Sequence, residues 1–395
     1  MQTFQVLIIG SGFGGQCAAI NLLKAGIDDF RLLERRDFFG GTGAKTPTLV
    51  PRSTCPRRSI RCPSRPTAGR KCSPNRPNCT TTPSTWWSTS ACETIPTIAP
   101  DVEHLHVFQR TSHWVLPRAD RAFGPFQRWL LGLKPAYKLL RWMIYWLFET
   151  RVIAFKYSKP AIRLVQQHAL RFLKRQVPDP QLRQKLTPDY AIGCKRIIVS
   201  STLYPALGRS NVSLHSREQG IAAIDETGIV TQDGQHIDLD LIVWSTGYDA
   251  TDGVISYPVT GKNGTQLKAF WAQYPRAYLG TSLPDFPNLF IVTGPNTGIG
   301  HTSALFIIES QMNYILDCIR TLKEHGLRSI EVRPEAERTY TEMIHREMER
   351  TVWKSGGCHS WYQSKSGHVI AMFPGFSFSY HRLTRALKPA DHILS

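Results

Sequence analysis

The sequence predicts an α/β protein built from two interleaved dinucleotide-binding units, and three stretches carry that prediction. VLIIGSGFGGQCAAINLLKAG opens the chain, ETIPTIAPDVEHLHVFQRT follows in its first third, and LDLIVWSTGYD lies in its second half. Each couples an aliphatic run to a turn or a helical pattern, as parallel strands buried on both faces require. A chain of 395 residues with 42% hydrophobic content is long enough and apolar enough for two or three domains. Its net charge of +18 points first to nucleic acid or another anionic partner. Half of that charge sits in one block, however. Gly43 to Cys92 holds seven Arg, two Lys, eight Pro, five of the nine Cys and no acid. Outside the block the chain is moderately basic. Within it the aromatic residues are confined to Trp86 and Trp87 at one end, so stacking platforms do not alternate with charge and nucleic acid is not expected.

Taken in order, the aliphatic run Phe4 to Ile9 predicts a buried strand. Gly10-Ser-Gly-Phe-Gly-Gly15 follows, then a helical pattern over Cys17 to Ala25 and a second strand, Phe30 to Leu33, ending in Glu34. Gly10 permits the tight turn, Gly12 lets backbone approach a pyrophosphate, and Gly15 lets helix pack on strand. The helix N-terminus favours the phosphates, and Glu34 is placed to bond a ribose. The run FQVLIIG has no basic flank and is not read as a leader.

The block at 43–92 cannot fill a core, because Leu49, Val50 and Ile60 are almost its only aliphatic residues. Its cysteines show no C-x-x-C and no neighbouring His pair, so no metal is expected. The remaining cysteines, Cys17, Cys194, Cys318 and Cys358, are scattered as in a reduced, cytoplasmic protein.

Past the block, a helix and the strand Leu105 to Phe108 end in Arg110-Thr111. Residues 124–160 form an apolar, basic helical insertion whose longest uncharged run, Trp142 to Phe148, is too short to span a bilayer. It reads as a buried wall of a substrate pocket, or as a helix lying on a membrane surface over 126–155. Lys195-Arg196 precedes a further strand and the pair Tyr204-Pro205. GIVTQDGQHIDLD reads as a hairpin, Leu239 to Trp244 as a buried strand, and Phe290 onward as strand, glycine turn and helix.

Gly40-Gly41-Thr42 resembles the G-G-T-W turn of flavoproteins with two dinucleotide domains, but Gly43 follows where Trp belongs. Restoring one base after the Thr42 codon permits Trp-Arg-Glu-Asn-Thr-Tyr-Pro-Gly and then Ala-Ala-Val-Asp-Val-Pro. That string resembles the G-G-T-W-R-x-N-x-Y-P-G-x-x-x-D run of Baeyer–Villiger-type (class B) flavin monooxygenases. The block is therefore read as an out-of-frame segment. The F-x-G-x-x-x-H fingerprint and the second glycine turn of that family belong in the same gap.

The resemblance covers residues 1–42 and about 93–390. It implies two interleaved Rossmann-like domains for FAD and NADP, the first interrupted and the second truncated at its start. The start of the FAD domain falls in 1–42 and the remaining NADP domain in 93–235. The return to the FAD domain and a cap fall in 236–395. It implies FAD at Gly10, Gly12, Gly15, Glu34, Gly41, Thr42 and Asp249, the last in the turn Ser245-Thr-Gly-Tyr-Asp249. Gly294, Asn296, Gly298 and His301 would meet the flavin. Arg110, Thr111 and Lys195 would hold the NADPH 2′-phosphate, a task a guanidinium fork and a hydroxyl suit. Arg196 would be catalytic, holding the anionic oxygenating species, because Arg keeps its charge in an apolar pocket. Trp361 and Tyr362 would border substrate and nicotinamide. The implied reaction uses NADPH and O2 to oxygenate a ketone or another small apolar molecule, with N- or S-oxygenation, or a non-catalytic remnant, as alternatives. Because the block is scrambled, an impaired enzyme is expected.

Overall fold

The computed structural model describes residues 5–35, 90–118, 120–245, 255 and 257–395. Strand β1 (Val6–Ile9) pairs in parallel with β2 (Phe30–Leu33), and helix α1 (Phe13–Lys24) crosses between them. The crossover is tight. Gly10 has φ +96°, open to glycine at little cost. A Cβ on Gly15 would lie 1.9 Å from the Gly10 carbonyl oxygen and 3.3 Å from Ile8 Cγ2. Helix and strand can therefore touch only where position 15 has no side chain. Leu22 and Ile27 close this unit, packed with Ile8 and with Leu316 and Ile319 of a long helix far along the chain.

The second unit begins with α2 (Ser90–Ile98) and β3 (Leu105–Phe108). A short β4 (Val115–Leu116) precedes the insertion: α3 (Pro125–Gly132), α4 (Lys134–Glu149), a π-helical turn over Ile153–Tyr157 and α5 (Lys159–Gln176). Then come α6 (Pro180–Leu186), β5 (Ile198–Val199), α7 (Leu203–Leu207) and β6 (Val212–His215). β3 runs parallel to β6 and β4 parallel to β5. Asn211 fixes the first pair, its Nδ2 donating to the carbonyls of Ala99 and Val102 at 2.8 and 3.0 Å. β7 (Ile221–Ile224), β8 (Gly228–Thr231) and β9 (His236–Asp238) form an antiparallel sheet, with Asp233-Gly234 at the β8–β9 turn.

The largest core surrounds α9 (Ala304–Glu324), reached after a one-turn α8 (Leu267–Phe270). Gln311 of α9 is fully buried and donates to Gly280 O and Thr281 Oγ1 while accepting from Thr293 N. β10 (Ile330–Val332), α10 (Pro334–Met348), α11 (Val352–Ser355), α12 (Ser377–Leu383) and β11 (His392–Leu394) wrap it, with β10 antiparallel to β11.

Three sequence readings are corrected here. Leu239 to Trp244 and Phe290 to Val292 form no strand, since neither run joins a ladder among the described residues. Leu241 and Trp244 are 75% and 64% exposed. An aliphatic run becomes a strand only beside a partner. The insertion is not a buried wall, because Trp129, Trp142 and Leu147 all face solvent. Nor are all the scattered cysteines reduced. Cys194 and Cys358 form a disulfide with their Cα atoms 6.1 Å apart, across a sequence separation of 164 residues. Cys17 and Cys318 are free thiols. No helix among the described residues is long and apolar enough to cross a membrane. Gly41, Thr42, residues 246–249 with Asp249, and residues 43–89 lie outside the described residues.

Replacing Gly15 by Ala forces the first turn of α1 away from β1. We expect a loss of about 1–3 kcal/mol, the usual cost of overpacking, read as a lower urea midpoint for the N-terminal unit.

Candidate functional site

Residues 189–197 form a loop that leads into β5, with Tyr190, Ile192 and Cys194 in the main core. Two rules shape it. Gly193 has φ +92°, and a Cβ there would lie 2.7 Å from the Phe155 ring. Trp114 Nε1 donates to the Tyr190 carbonyl at 2.8 Å, and Tyr190 Oη donates to Ser112 O at 2.9 Å. The loop is thereby locked to the end of β3, which carries Arg110 and Thr111.

Lys195 extends across that junction. Its Nζ donates to Thr111 Oγ1 at 3.1 Å and stands 4.9 Å from the Tyr190 ring centroid. Burial lowers the Lys195 pKa, the Arg110 charge lowers it further, and Asp189 opposes both. The three residues singled out from the sequence therefore converge from two strand ends. Two cations and a hydroxyl held together in this way can take up an anion. Desolvation lowers the pKa of His113, and the Lys195 charge lowers it further.

Arg196, the next residue, is coupled electrostatically to Tyr362. Burial lowers its pKa and the Tyr362 hydroxyl raises it. Tyr362 is buried and its phenol is pushed up to about 12 by desolvation, which Arg196 opposes. Trp361 sits edge-on to Tyr362 with centroids 4.6 Å apart and is half-exposed. The disulfide from Cys194 to Cys358 and a hydrogen bond from Ala191 N to Gly356 O at 3.0 Å hold the two segments together.

At the glycine turn, Glu34 Oε2 accepts from Ser11 N at 2.8 Å and Ser11 Oγ at 2.7 Å. Ser11 was not singled out from the sequence. Its position between Gly10 and Gly12 is the signal that could have found it. A Cβ on Gly14 would come 3.1 Å from Val292 Cγ1, so α1 begins against the 290–303 segment.

That segment holds the other candidates. A Cβ on Gly294 would meet Gly280 O at 2.4 Å, and one on Gly298 would meet Ala371 O at 2.5 Å. Asn296, at φ +54°, donates from Nδ2 to Val369 O at 2.9 Å and Met372 O at 3.0 Å. Its amide thus pins backbone. His301 differs. It is buried, and neither ring nitrogen has a hydrogen-bond partner among the described residues, nor does Thr302 Oγ1 beside it. Glu149 Oε1 lies 3.7 Å from His301 Nε2. That carboxylate, itself buried, already accepts from Ser377 N at 3.2 Å and from Ser377 Oγ. Glu149 and Ser377 sit 228 residues apart, a pairing no local pattern announces.

No protein-family profile matches the chain. It is 41% identical over 308 residues to a Baeyer-Villiger monooxygenase of Pseudomonas aeruginosa, covering 78% of this chain and 58% of that protein. It is 40% identical over 305 residues to a Baeyer-Villiger monooxygenase of Streptomyces coelicolor, covering 77% and 58%. The chain thus spans less than two thirds of the length of these relatives. Among solved structures, an oxidized steroid monooxygenase bound to NADP superposes with TM-score 0.77 at 21% identity, covering 100% of this chain and 99% of that one. A closed cyclohexanone monooxygenase gives 0.68 at 24%, covering 78% and 65%. These likenesses fix the fold as that of flavoproteins with two dinucleotide-binding domains.

Burial, assisted by the Arg151 charge, pushes His301 down from 6.5 to about 4. Between those values the unfolded chain holds the extra proton. Stability is therefore complete above pH 6.5 and is lost as pH falls towards 4, by at most about 3 kcal/mol. Urea midpoints across that window should fall for the parent chain and fall less for His301→Leu. Parallel slopes would remove His301 as the cause.

Proposed function

The chain belongs to the Baeyer–Villiger-type flavin monooxygenases, and we infer from that membership an FAD- and NADPH-dependent oxygenation of a ketone or another small apolar molecule. One oxygen atom of O2 enters the substrate, the other leaves as water, and NADPH supplies the two electrons. The observation that carries the reading is the single loop from which Lys195 joins Thr111 and Arg110, and Arg196 joins Tyr362. An anion grip and a permanently charged guanidinium in an apolar wall are what hydride donor and oxygenation chemistry ask of a protein.

The residues present fit both cofactors in part. Gly10, Gly12, Gly15 and Glu34 provide a positive-φ turn, a close helix start and a carboxylate for the adenosine end of FAD. The unpartnered atoms of His301 and Thr302 suit a buried group that brings its own donors and acceptors, as a flavin ring does. Gly294 and Asn296 hold the backbone beside them. Gly41, Thr42 and Asp249 complete the FAD set by sequence. When bound, FAD takes two electrons from NADPH and passes them to O2. Arg110, Thr111 and Lys195 bind the 2′-phosphate and select NADPH over NADH. Arg196 stabilises negative charge at the reacting oxygen. Tyr362 holds Arg196 in place, and Trp361 closes the substrate side. The alternatives are N- or S-oxygenation on the same residues, or a remnant that binds without turnover. The solvent-facing aromatics of 126–155 suit peripheral membrane contact.

In the Arg196→Ala variant, NADPH reduction of the flavin should proceed at nearly the parent rate while oxygenated product disappears. Stopped-flow absorbance separates the two half-reactions, and a normal product yield would overturn the role given to Arg196.

The segment 43–92 replaces residues that in the family line the flavin and turn the NADP pyrophosphate. Each charge-assisted hydrogen bond lost costs about 1.5–3 kcal/mol, and positioning of the nicotinamide suffers with it. Purified protein is therefore expected to carry FAD well below one per chain and to oxidise NADPH at background rate. A fully flavinated protein with ketone-dependent turnover would show that 43–92 is a working segment.

A further inference from the structure

We propose that helices α3 and α4 dock this chain, lying in plane, on bilayers rich in anionic phospholipid. The proposal rests on the peripheral contact inferred above and not on catalysis. The spacing carries the first part. Leu139, Trp142, Met143, Trp146 and Leu147 fall at i, i+3, i+4, i+7 and i+8 of α4, which places them on one stripe. In a water-soluble helix that stripe faces the core. Here every one of the five is exposed, Trp142 at 60% and Leu147 at 63%. The flank of the helix end beside that stripe, with Tyr145 and Glu149, meets the protein instead. Tyr145 Oη lies 3.1 Å from Ser377 Oγ, and Glu149 is buried against the same serine. The helix is thus anchored by its polar end and presents its apolar face outward.

The surface continues beyond α4. Trp142 and Trp146 rings lie 6.2 Å apart, Trp146 and Phe378 5.9 Å, Phe378 and Phe376 4.9 Å, and Phe376 and Tyr157 6.4 Å. On α3, Phe126 and Trp129 add a further pair at 5.8 Å. Such a connected aromatic strip suits the headgroup boundary, where rings with one apolar and one polar edge are stable.

Charge selects the partner. From Arg121 to Phe148 there are five cations, Arg121, Arg128, Lys134, Lys138 and Arg141, and no acid. Lys134, Lys138 and Arg141 share a groove with Tyr137, and the Arg141 guanidinium sits 5.8 Å from that ring. Three cations around one aromatic wall suit a phosphodiester headgroup, with the side-chain stems lying on apolar surface. At 16 residues α4 is about 24 Å long, too short to cross a hydrocarbon layer of about 30 Å.

The test is co-sedimentation of the full chain with vesicles of phosphatidylcholine alone and of phosphatidylcholine mixed equally with phosphatidylglycerol. Binding is expected to the mixed vesicles and to weaken as salt is raised. Lys134→Gln/Lys138→Gln/Arg141→Gln should bind about 100-fold more weakly, from roughly one factor of five per cation removed. Trp142→Ser/Trp146→Ser should lose binding at every salt concentration. Circular dichroism and thermal melts on both variants keep loss of fold apart from loss of binding. Equal binding to both vesicle types would leave peripheral contact standing and overturn the anionic selection. No binding to either would overturn both, as would a concentration-dependent dimer that the tryptophan variant abolishes. Flavin content and NADPH oxidation, read on the same protein, report separately on the proposed reaction.

Discussion

Four chain segments meet at residues 190–196, and the closeness of that meeting constrains everything around it. Trp114 and Ser112 bond Tyr190 from one side. Phe155, from the turn after α4, fills the space a side chain at Gly193 would need. Gly356 accepts from Ala191 N and leaves no room for a Cβ, which would fall 2.7 Å from Cys194 Cβ. Cys358, in the same segment as Gly356, adds the disulfide to Cys194. Two glycines and two cysteines thus fix the distance between the strand ends and the C-terminal cap.

Into that fixed frame the chain sets two consecutive cations. Each is partly withdrawn from water, and that burial leads the causes that lower both Lys195 and Arg196. They differ in partner. Lys195 meets Thr111 and the Tyr190 ring, and Arg196 is coupled to Tyr362. Arg110 adds a third charge near Lys195 with only Asp189 to offset it. Positive potential concentrated in this way favours an anionic guest, and perturbed groups of this kind gather where ligands bind.

Much of the fold was legible because its signals are local. The turn at Gly10, strand pair β1–β2, β3 and the Asp233-Gly234 hairpin each depend on residues a few positions apart. Leu239 to Trp244 misled for the opposite reason: its pattern is that of a strand, but pairing depends on neighbours distant in sequence. The insertion was legible as helix from its spacing and illegible as to side, since the same stripe serves a core or a surface. In the site, Arg110, Thr111 and Lys195 were found by motif, and the structure draws them together. The Cys194–Cys358 link and the Glu149, Ser377 and His301 cluster were not found. Each joins residues more than 70 positions apart, with no repeat or spacing to connect them.

The disulfide also changes what kind of object the chain is. By joining positions 164 residues apart, it closes residues 194–358 into a covalent ring with a long N-terminal tail and a short C-terminal one. A ring of that size gives up roughly 5 kcal/mol of chain entropy when unfolded, in the simple loop-closure account. It also tolerates a break. A peptide bond cut inside it, for example in the exposed Asp233-Gly234 turn between β8 and β9, opens the ring without releasing a fragment, so the two pieces stay one molecule until a thiol separates them.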